Sequence, residues 1–213
     1  MRLTASVVAA ILLSGCVTSL PPPKQYDLGN STAVHPAENV LAVKLVIRDV
    51  TEPSWLRTRD IFYRLDYTEP SRPRRYAMSE WVATPGELIT LQLREAIGFA
   101  NAGYTLTSSN GSDGYLLQAT LEEFTQAFAE AAESYCIVQL RASLWKSADR
   151  VIAQRVFHIE IPARTPNASG AAKCLASAVN MNVDEIVQWL KDEVTRSQLS
   201  EAPNLTKTPS LHQ

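Results

Sequence analysis

Apolar and polar positions follow one another along the chain in patterns that predict its strands and helices. Residues 40–47 are rich in β-branched side chains and almost entirely apolar, which is typical of a strand buried on both faces. Two further strand-like runs, residues 61–66 and 74–78, are separated by residues 68–73, which contain two prolines. The prolines predict a turn at that point, so the two runs are expected to form a hairpin.

Two segments have the spacing of amphipathic helices. The first is expected to begin at Pro85, because Thr84 can cap it and Glu87 completes a capping box, and to end at Asn101. In the second, apolar residues recur at the i, i+3, i+4, i+7 positions of a helix. These residues are Ala172, Leu175, Ala176, Val179, Val183, Ile186, Val187 and Leu190.

Three strand-like runs lie between the helices, at residues 116–128, 137–145 and 151–161. The last two alternate between apolar and polar side chains, which indicates consecutive antiparallel strands with one face in water. The order β-β-β-α-β-β-β-α predicts a single α+β domain over residues 37–196, with two helices packed on one face of a mostly antiparallel sheet. Residues 197–213 are polar with two prolines and are predicted to be a disordered tail.

The N-terminus predicts export and lipidation. Arg2 is followed by an uncharged, mainly apolar stretch that is too short to span a bilayer and is typical of a signal peptide. It ends in Leu13-Ser14-Gly15-Cys16, which looks like a lipobox. We therefore expect residues 1–15 to be removed and Cys16 to carry fatty acyl chains such as palmitate. Two or more chains anchor a protein stably.

The residues after Cys16 bear on where the protein is held. No Asp follows Cys16 directly, which favours the outer membrane over the inner membrane, with the domain facing the periplasm. Residues 16–36 include three consecutive prolines and predict a stiff, extended tether.

Charge and composition exclude some functions. The formal net charge of the chain is −2, and its Lys and Arg residues form no basic stripe, so the footprint of a nucleic-acid-binding protein is absent. The sequence has no nucleophile elbow, no phosphate-binding glycine loop and no Cys-x-x-Cys pair. Glu122 and Glu123 are expected to point to opposite faces of a strand, so they do not make a carboxylate pair. We predict no catalytic, cofactor-binding or metal-binding residues and no enzymatic activity.

Cys136 and Cys174 remain once Cys16 is lipidated. In the oxidising periplasm they are candidates for a disulfide. The alternative is two buried free thiols, because unpaired cysteine packs as a small hydrophobic side chain. The sequence alone does not decide between a disulfide and two free thiols.

A candidate docking surface is predicted on the polar side of the strand at residues 137–145. Trp145 is in register there with Arg141, and both residue types are enriched at interface hot spots. The competing interpretation is that another element or a sister subunit covers Trp145.

Several short motifs follow one another in a specific order over residues 16–194. They are Tyr26-Asp27-Leu28, Tyr63-Arg64-Leu65, Tyr76 and Trp81 followed by Pro85, and residues 115–124, 151–157 and 183–190. Together they resemble the ABC-type transport auxiliary lipoproteins, the outer-membrane component of intermembrane lipid transport systems. Val82 departs from that pattern, since family members more often have Ala directly after the Trp.

The resemblance implies a non-enzymatic protein that acts with other components. Its expected partners are a periplasmic protein with MCE domains and, through it, an inner-membrane ABC transporter, which together move phospholipid or related hydrophobic molecules between membranes. Some members form rings, so the resemblance also implies a homo-oligomeric ring. The alternative function is a regulatory lipoprotein that activates a cell-wall synthase, but such a regulator needs a longer tether to cross the peptidoglycan.

Overall fold

The fold is described from a computed structural model, which covers residues 21–29, 41, 43–101, 105–106, 114–146 and 150–201. These residues form eight strands and two helices. The strands are β1 (Lys24–Tyr26), β2 (Leu45–Ile47), β3 (Asp60–Leu65), β4 (Glu69–Trp81), β5 (Thr105–Leu106), β6 (Tyr115–Glu130), β7 (Glu133–Lys146) and β8 (Arg150–Pro162). The helices are α1 (Pro85–Ala100) and α2 (Ala168–Glu201).

All eight strands belong to one mixed sheet organised around β6. One edge of β6 pairs with β7 along nearly its whole length, and β7 in turn pairs with β8, both antiparallel. The other edge of β6 is shared, since β2 pairs with its beginning and β3 with its end, both parallel. The predicted α+β class is confirmed. The long ladders are antiparallel, while short strands add parallel pairings of three residues or fewer.

The helices and the sheet enclose one hydrophobic core. Trp81, Phe124 and Phe157 are the largest of its fully buried side chains, and Trp81 contacts Phe124 with ring centroids 5.4 Å apart. Helix α2 packs against β6, β7 and β8, and α1 packs against α2. No described helix combines the length and the apolar character needed to cross a membrane.

Helix α1 begins as predicted. The Thr84 hydroxyl accepts the Glu87 N–H, and the Glu87 carboxylate accepts the Thr84 N–H at 3.0 Å. Glu52 adds a second carboxylate, which accepts the Gly86 N–H at 2.8 Å. Gly86 is required at this point because a Cβ there would lie 2.9 Å from both the Glu52 carboxylate and the Val50 carbonyl oxygen. The helix N-terminus is thus held to the loop after β2.

The predicted hairpin exists, but its turn does not lie at the prolines. Strands β3 and β4 pair antiparallel, and the turn occupies residues 66–68. Pro70 and Pro73 lie inside β4 instead. Leu65 on β3 pairs with Glu69, and Tyr63 pairs with Arg74. Residues 70–73 of β4 therefore have no regular partner on β3. Proline is tolerated where no ladder hydrogen bond is required of it.

Three predicted boundaries differ from the structure. Residues 24–26, expected in the tether, form β1, which pairs parallel with β4. Within the strand expected over residues 40–47, the described residues are extended in a strand only at Leu45–Ile47. At the other end, α2 continues to Glu201, so residues 197–201 are helical rather than part of a disordered tail. The predicted signal peptide, Cys16 and residues 202–213 lie outside the described residues.

Candidate functional site

Strands β6, β7 and β8 present one face to the core and the other to the surroundings. In β7 the even-numbered residues from Cys136 to Leu144 are buried, while the odd-numbered residues from Tyr135 to Trp145 are half-buried. We call the surface formed by the latter residues and their neighbours on β6 and β8 the open face. This face arises directly from the alternation of apolar and polar side chains.

One end of the open face is apolar. Trp145 lies in register with Leu116 on β6 and with Val151 on β8, which makes a row across three strands. Val151 is exposed, and the indole N–H of Trp145 is buried without an acceptor among the described residues. Trp145 is half-buried, so part of its aromatic ring remains accessible at this end of the face, and accessible aromatic rings are frequent interface anchors.

The centre of the open face is polar and internally hydrogen-bonded. The Arg141 guanidinium donates to the Glu122 carboxylate at 2.6 Å, and the Gln139 amide donates to the same carboxylate at 2.7 Å. His158 on β8 lies 3.0 Å from the Gln139 oxygen, so the chain of contacts crosses all three strands. The hydrogen bond from Arg141 holds the pKa of Glu122 below its ordinary value.

Arg141 and Trp145 therefore share the open face, but they differ in availability. Arg141 is held against Glu122 and is 42% exposed at its side chain. The positive charge of Arg141 is thus already paired with the Glu122 carboxylate. Among the described residues, the apolar row around Trp145 is the part of the open face that has no such pairing. Glu122 was not predicted from the sequence as the residue that positions Arg141.

A β-bulge explains that omission. Leu121 pairs with Leu140 and Glu123 pairs with Gln139, which leaves Glu122 as an extra residue. Because of the bulge, Glu122 and Glu123 both lie on the open face, so the expectation of opposite faces is wrong. They still do not act as a pair, since Glu122 binds Arg141 while Glu123 forms an ion pair with Arg64 at 3.1 Å.

Beside Glu122 the open face contains a shallow hollow of about 480 Å³. Trp55, in the loop before β3, forms one wall and stacks edge-on against Phe62. On the opposite wall the Thr51 and Thr120 hydroxyls lie 2.9 Å apart. Trp55 is 40% exposed, so it adds a second aromatic side chain to this surface.

The two cysteines of the domain are joined. Cys136 on β7 and Cys174 on α2 form a disulfide with their Cα atoms 6.0 Å apart. Both residues are buried, and the bond links the sheet to α2 across the core. Within the described residues, no three His, Cys, Asp or Glu side chains are grouped closely enough to hold a metal ion.

Two solved structures share this fold. A crystal structure of a Xanthomonas campestris protein matches 83% of this chain and 99% of its own, with a TM-score of 0.71 and 18% identity. A crystal structure of an uncharacterized protein matches 80% of this chain and 99% of its own, with a TM-score of 0.63 and 15% identity. At these identities the likeness establishes the fold alone. A search of curated proteins finds no match.

The family is established by sequence. The model of the ABC-type transport auxiliary lipoprotein component matches residues 26–187, which span the sheet from β1 to β8 and most of α2. This family is an auxiliary transport family. The chain belongs to the ABC-type transport auxiliary lipoprotein components.

Proposed function

We propose that this protein is a non-enzymatic outer-membrane lipoprotein that serves as the docking component of an ABC/MCE-type intermembrane phospholipid transport system. Membership of the auxiliary lipoprotein family carries the proposal. Its partners would be an MCE-domain protein in the periplasm and, indirectly, an inner-membrane ABC transporter. Nucleotide hydrolysis would belong to that transporter.

The position of β1 supports a role close to the membrane. Strand β1 begins at Lys24, only eight residues after Cys16. An extended chain covers at most about 3.6 Å per residue, so this spacer reaches no further than roughly 30 Å. A regulator of a cell-wall synthase would have to extend through the peptidoglycan. The short spacer therefore favours a partner that comes to the membrane.

The open face supports a docking role. Three long strands lie side by side there, neither of the two described helices packs on this side of them, and their outer surface carries Trp145, Val151 and Val156. Aromatic and apolar side chains surrounded by polar ones are the usual composition of a protein interface. We assign the MCE-domain partner to this face.

Photo-crosslinking in cells tests the proposal. A photoreactive amino acid at Val156, on the open face, is expected to capture an MCE-domain protein. The same amino acid at Leu91, exposed on α1, is the matched control and is expected to capture none. Failure to capture an MCE-domain protein from either Val156 or Leu91 would refute the proposed function. Capture of a cell-wall synthase instead would refute it as well.

The anchor has its own test. Cys16→Ser should leave the domain folded, release it from the membrane fraction and abolish transport. Full transport activity of this variant would contradict the anchoring role. A ring of identical subunits is part of the proposal, and light scattering of the purified protein measures the subunit number directly.

A further inference from the structure

A cleft of about 550 Å³ lies where the chain leaves β8 and enters α2, away from the open face. Arg164 in the connection and Lys173 on α2 both line it. Gly170 allows the two segments to come together, because a Cβ at this position would lie 1.9 Å from the Thr165 carbonyl oxygen. The cleft is therefore a product of close packing between the connection and the first turn of the helix.

The charge of the cleft is positive and uncompensated. Arg164 and Lys173 are exposed, and no described carboxylate lies within salt-bridge distance of either side chain. None of the lining residues is acidic, and the first turn of α2 has no acidic residue either. The positive end of the helix dipole adds to the same potential.

The hydroxyl groups of the cleft are already engaged. Ser177 donates to the Lys173 carbonyl oxygen at 3.0 Å, and Thr165 donates to the Asn167 side chain at 3.4 Å. The groups left to bind a ligand are thus the two cations. Two cations around one cleft fit an anion, and Arg and Lys are both common phosphate-binding residues.

The cleft lies on the side of the domain where the anchored segment arrives. A second cleft of about 510 Å³ separates residues 25–29 from α2, and it shares Lys173 and Ser177 with the first. Its one acidic lining residue is Asp27, whose carboxylate accepts the Gly29 N–H at 2.9 Å. The two clefts thus form a continuous groove from β1, the first strand after the tether, to Arg164.

We propose that the cleft between Arg164 and Lys173 binds the phosphate of an anionic phospholipid headgroup in the membrane to which the protein is anchored. This inference rests on the anchoring part of the proposed function and not on the MCE partner. It gives the domain a second attachment to the membrane, which orients it beyond what a single anchor at Cys16 achieves. A cation near an anionic bilayer contributes about 1 kcal/mol, or roughly fivefold in binding.

Vesicle flotation tests the proposal with the full mature chain carrying Cys16→Ser, so that no acyl chain contributes. We expect the protein to float with vesicles containing roughly one third phosphatidylglycerol and not with phosphatidylcholine alone. The double variant Arg164→Gln/Lys173→Gln removes two such contributions and should bind roughly 25-fold more weakly. Since both side chains are exposed, its melting temperature should be unchanged.

Lys44→Gln/Arg48→Gln is the matched control, because it removes two exposed positive charges elsewhere. These residues flank β2, which pairs with β6 at residues 115–117, whereas the Thr165 carbonyl oxygen lies near Gln126. Nine residues of strand separate those points by roughly 30 Å. The control pair should retain flotation.

Two results with the variants would overturn the proposal. One is an equal loss of flotation in the control pair, which would indicate general electrostatic attraction rather than a site. The other is retention of flotation by the Arg164/Lys173 variant. Titration with inorganic phosphate at constant ionic strength identifies the source of the ligand, and tight binding of free phosphate without vesicle binding would also refute the lipid assignment. Failure of partner crosslinking would leave these results untouched.

Discussion

Tyr26 lies directly beside Trp81 in the parallel register of β1 and β4, and its carbonyl oxygen accepts the Val82 N–H at 2.8 Å. Trp81 is fully buried. The segment that connects the anchor to the domain is therefore part of the sheet before it reaches residue 30. A force on the predicted anchor at Cys16 would therefore act on the sheet through β1.

Leu28→Ala tests whether this segment contributes to folding. Leu28 is 4% exposed, and its carbonyl oxygen accepts the Gln92 amide. Removing its side chain leaves a cavity and should lower the free energy of unfolding by about 2–3 kcal/mol. Urea denaturation measures the change. Lys24→Ala, at an exposed position of β1, is the control and should cost less than about 0.5 kcal/mol. Equal stability of the two variants would show that the segment is a free tether.

The disulfide should contribute to stability through the loop it closes. Cys136 and Cys174 are separated by 38 positions in the sequence. Constraining a loop of this size in the unfolded chain should stabilise the domain by about 2–4 kcal/mol. Reduction with dithiothreitol is thus expected to lower the melting temperature by roughly 5–15 °C.

The control for this experiment is Cys136→Ala/Cys174→Ala. The double variant should melt at the temperature of the reduced protein, and dithiothreitol should not lower it further. A wild-type protein that is insensitive to the reductant while retaining two titratable thiols would contradict the pairing.

The ion pair between Glu122 and Arg141 should give stability that depends on pH. The pKa of Glu122 is lowered by its hydrogen bond to Arg141, so the pair stabilises the fold above the unfolded-state pKa near 4.5. That stability is lost as the pH falls through the lower folded-state pKa. Glu122→Gln should therefore cost about 0.5–1 kcal/mol at pH 7, and the difference from wild type should shrink below pH ~4.

Glu95→Gln is the control for that pH series, because Glu95 is exposed on α1 and forms no ion pair among the described residues. Denaturation of the three proteins between about pH 3 and 7 gives the comparison. A deficit of Glu122→Gln that is constant over this range would mean that the carboxylate contributes through shape rather than charge.

Local signals along the chain were sufficient to predict much of the fold. The capping box at Thr84 and Glu87 fixed the start of α1, and strict alternation in β7 identified its buried face. Both depend on residues close together in sequence. The α+β class followed from the order of such elements.

What sequence reasoning missed depends on partners far along the chain. Strand β1 has three residues between prolines and polar side chains, and only its pairing with β4 makes it a strand. The bulge at Glu122 exists only in the register between β6 and β7. For the same reason Trp145 and Arg141 could be assigned to one face, while the carboxylate that holds Arg141 could not.

Trp145→Ala tests the assignment of the docking surface. Trp145 is half-buried in the apolar row between Leu116 and Val151. If this row is the centre of the interface, truncating the indole should weaken binding of the crosslinked partner by about thirtyfold, which is the scale of a hot spot. Trp145→Phe keeps most of the apolar area and should weaken binding much less, with its melting temperature close to that of wild type.

Tyr67→Ala, at an exposed position in the turn between β3 and β4, is the matched control and should bind normally. Surface plasmon resonance with the immobilised partner measures all four proteins. Wild-type affinity in a folded Trp145→Ala protein would move the docking site to another surface, and Trp55 beside the hollow would be the next residue to replace.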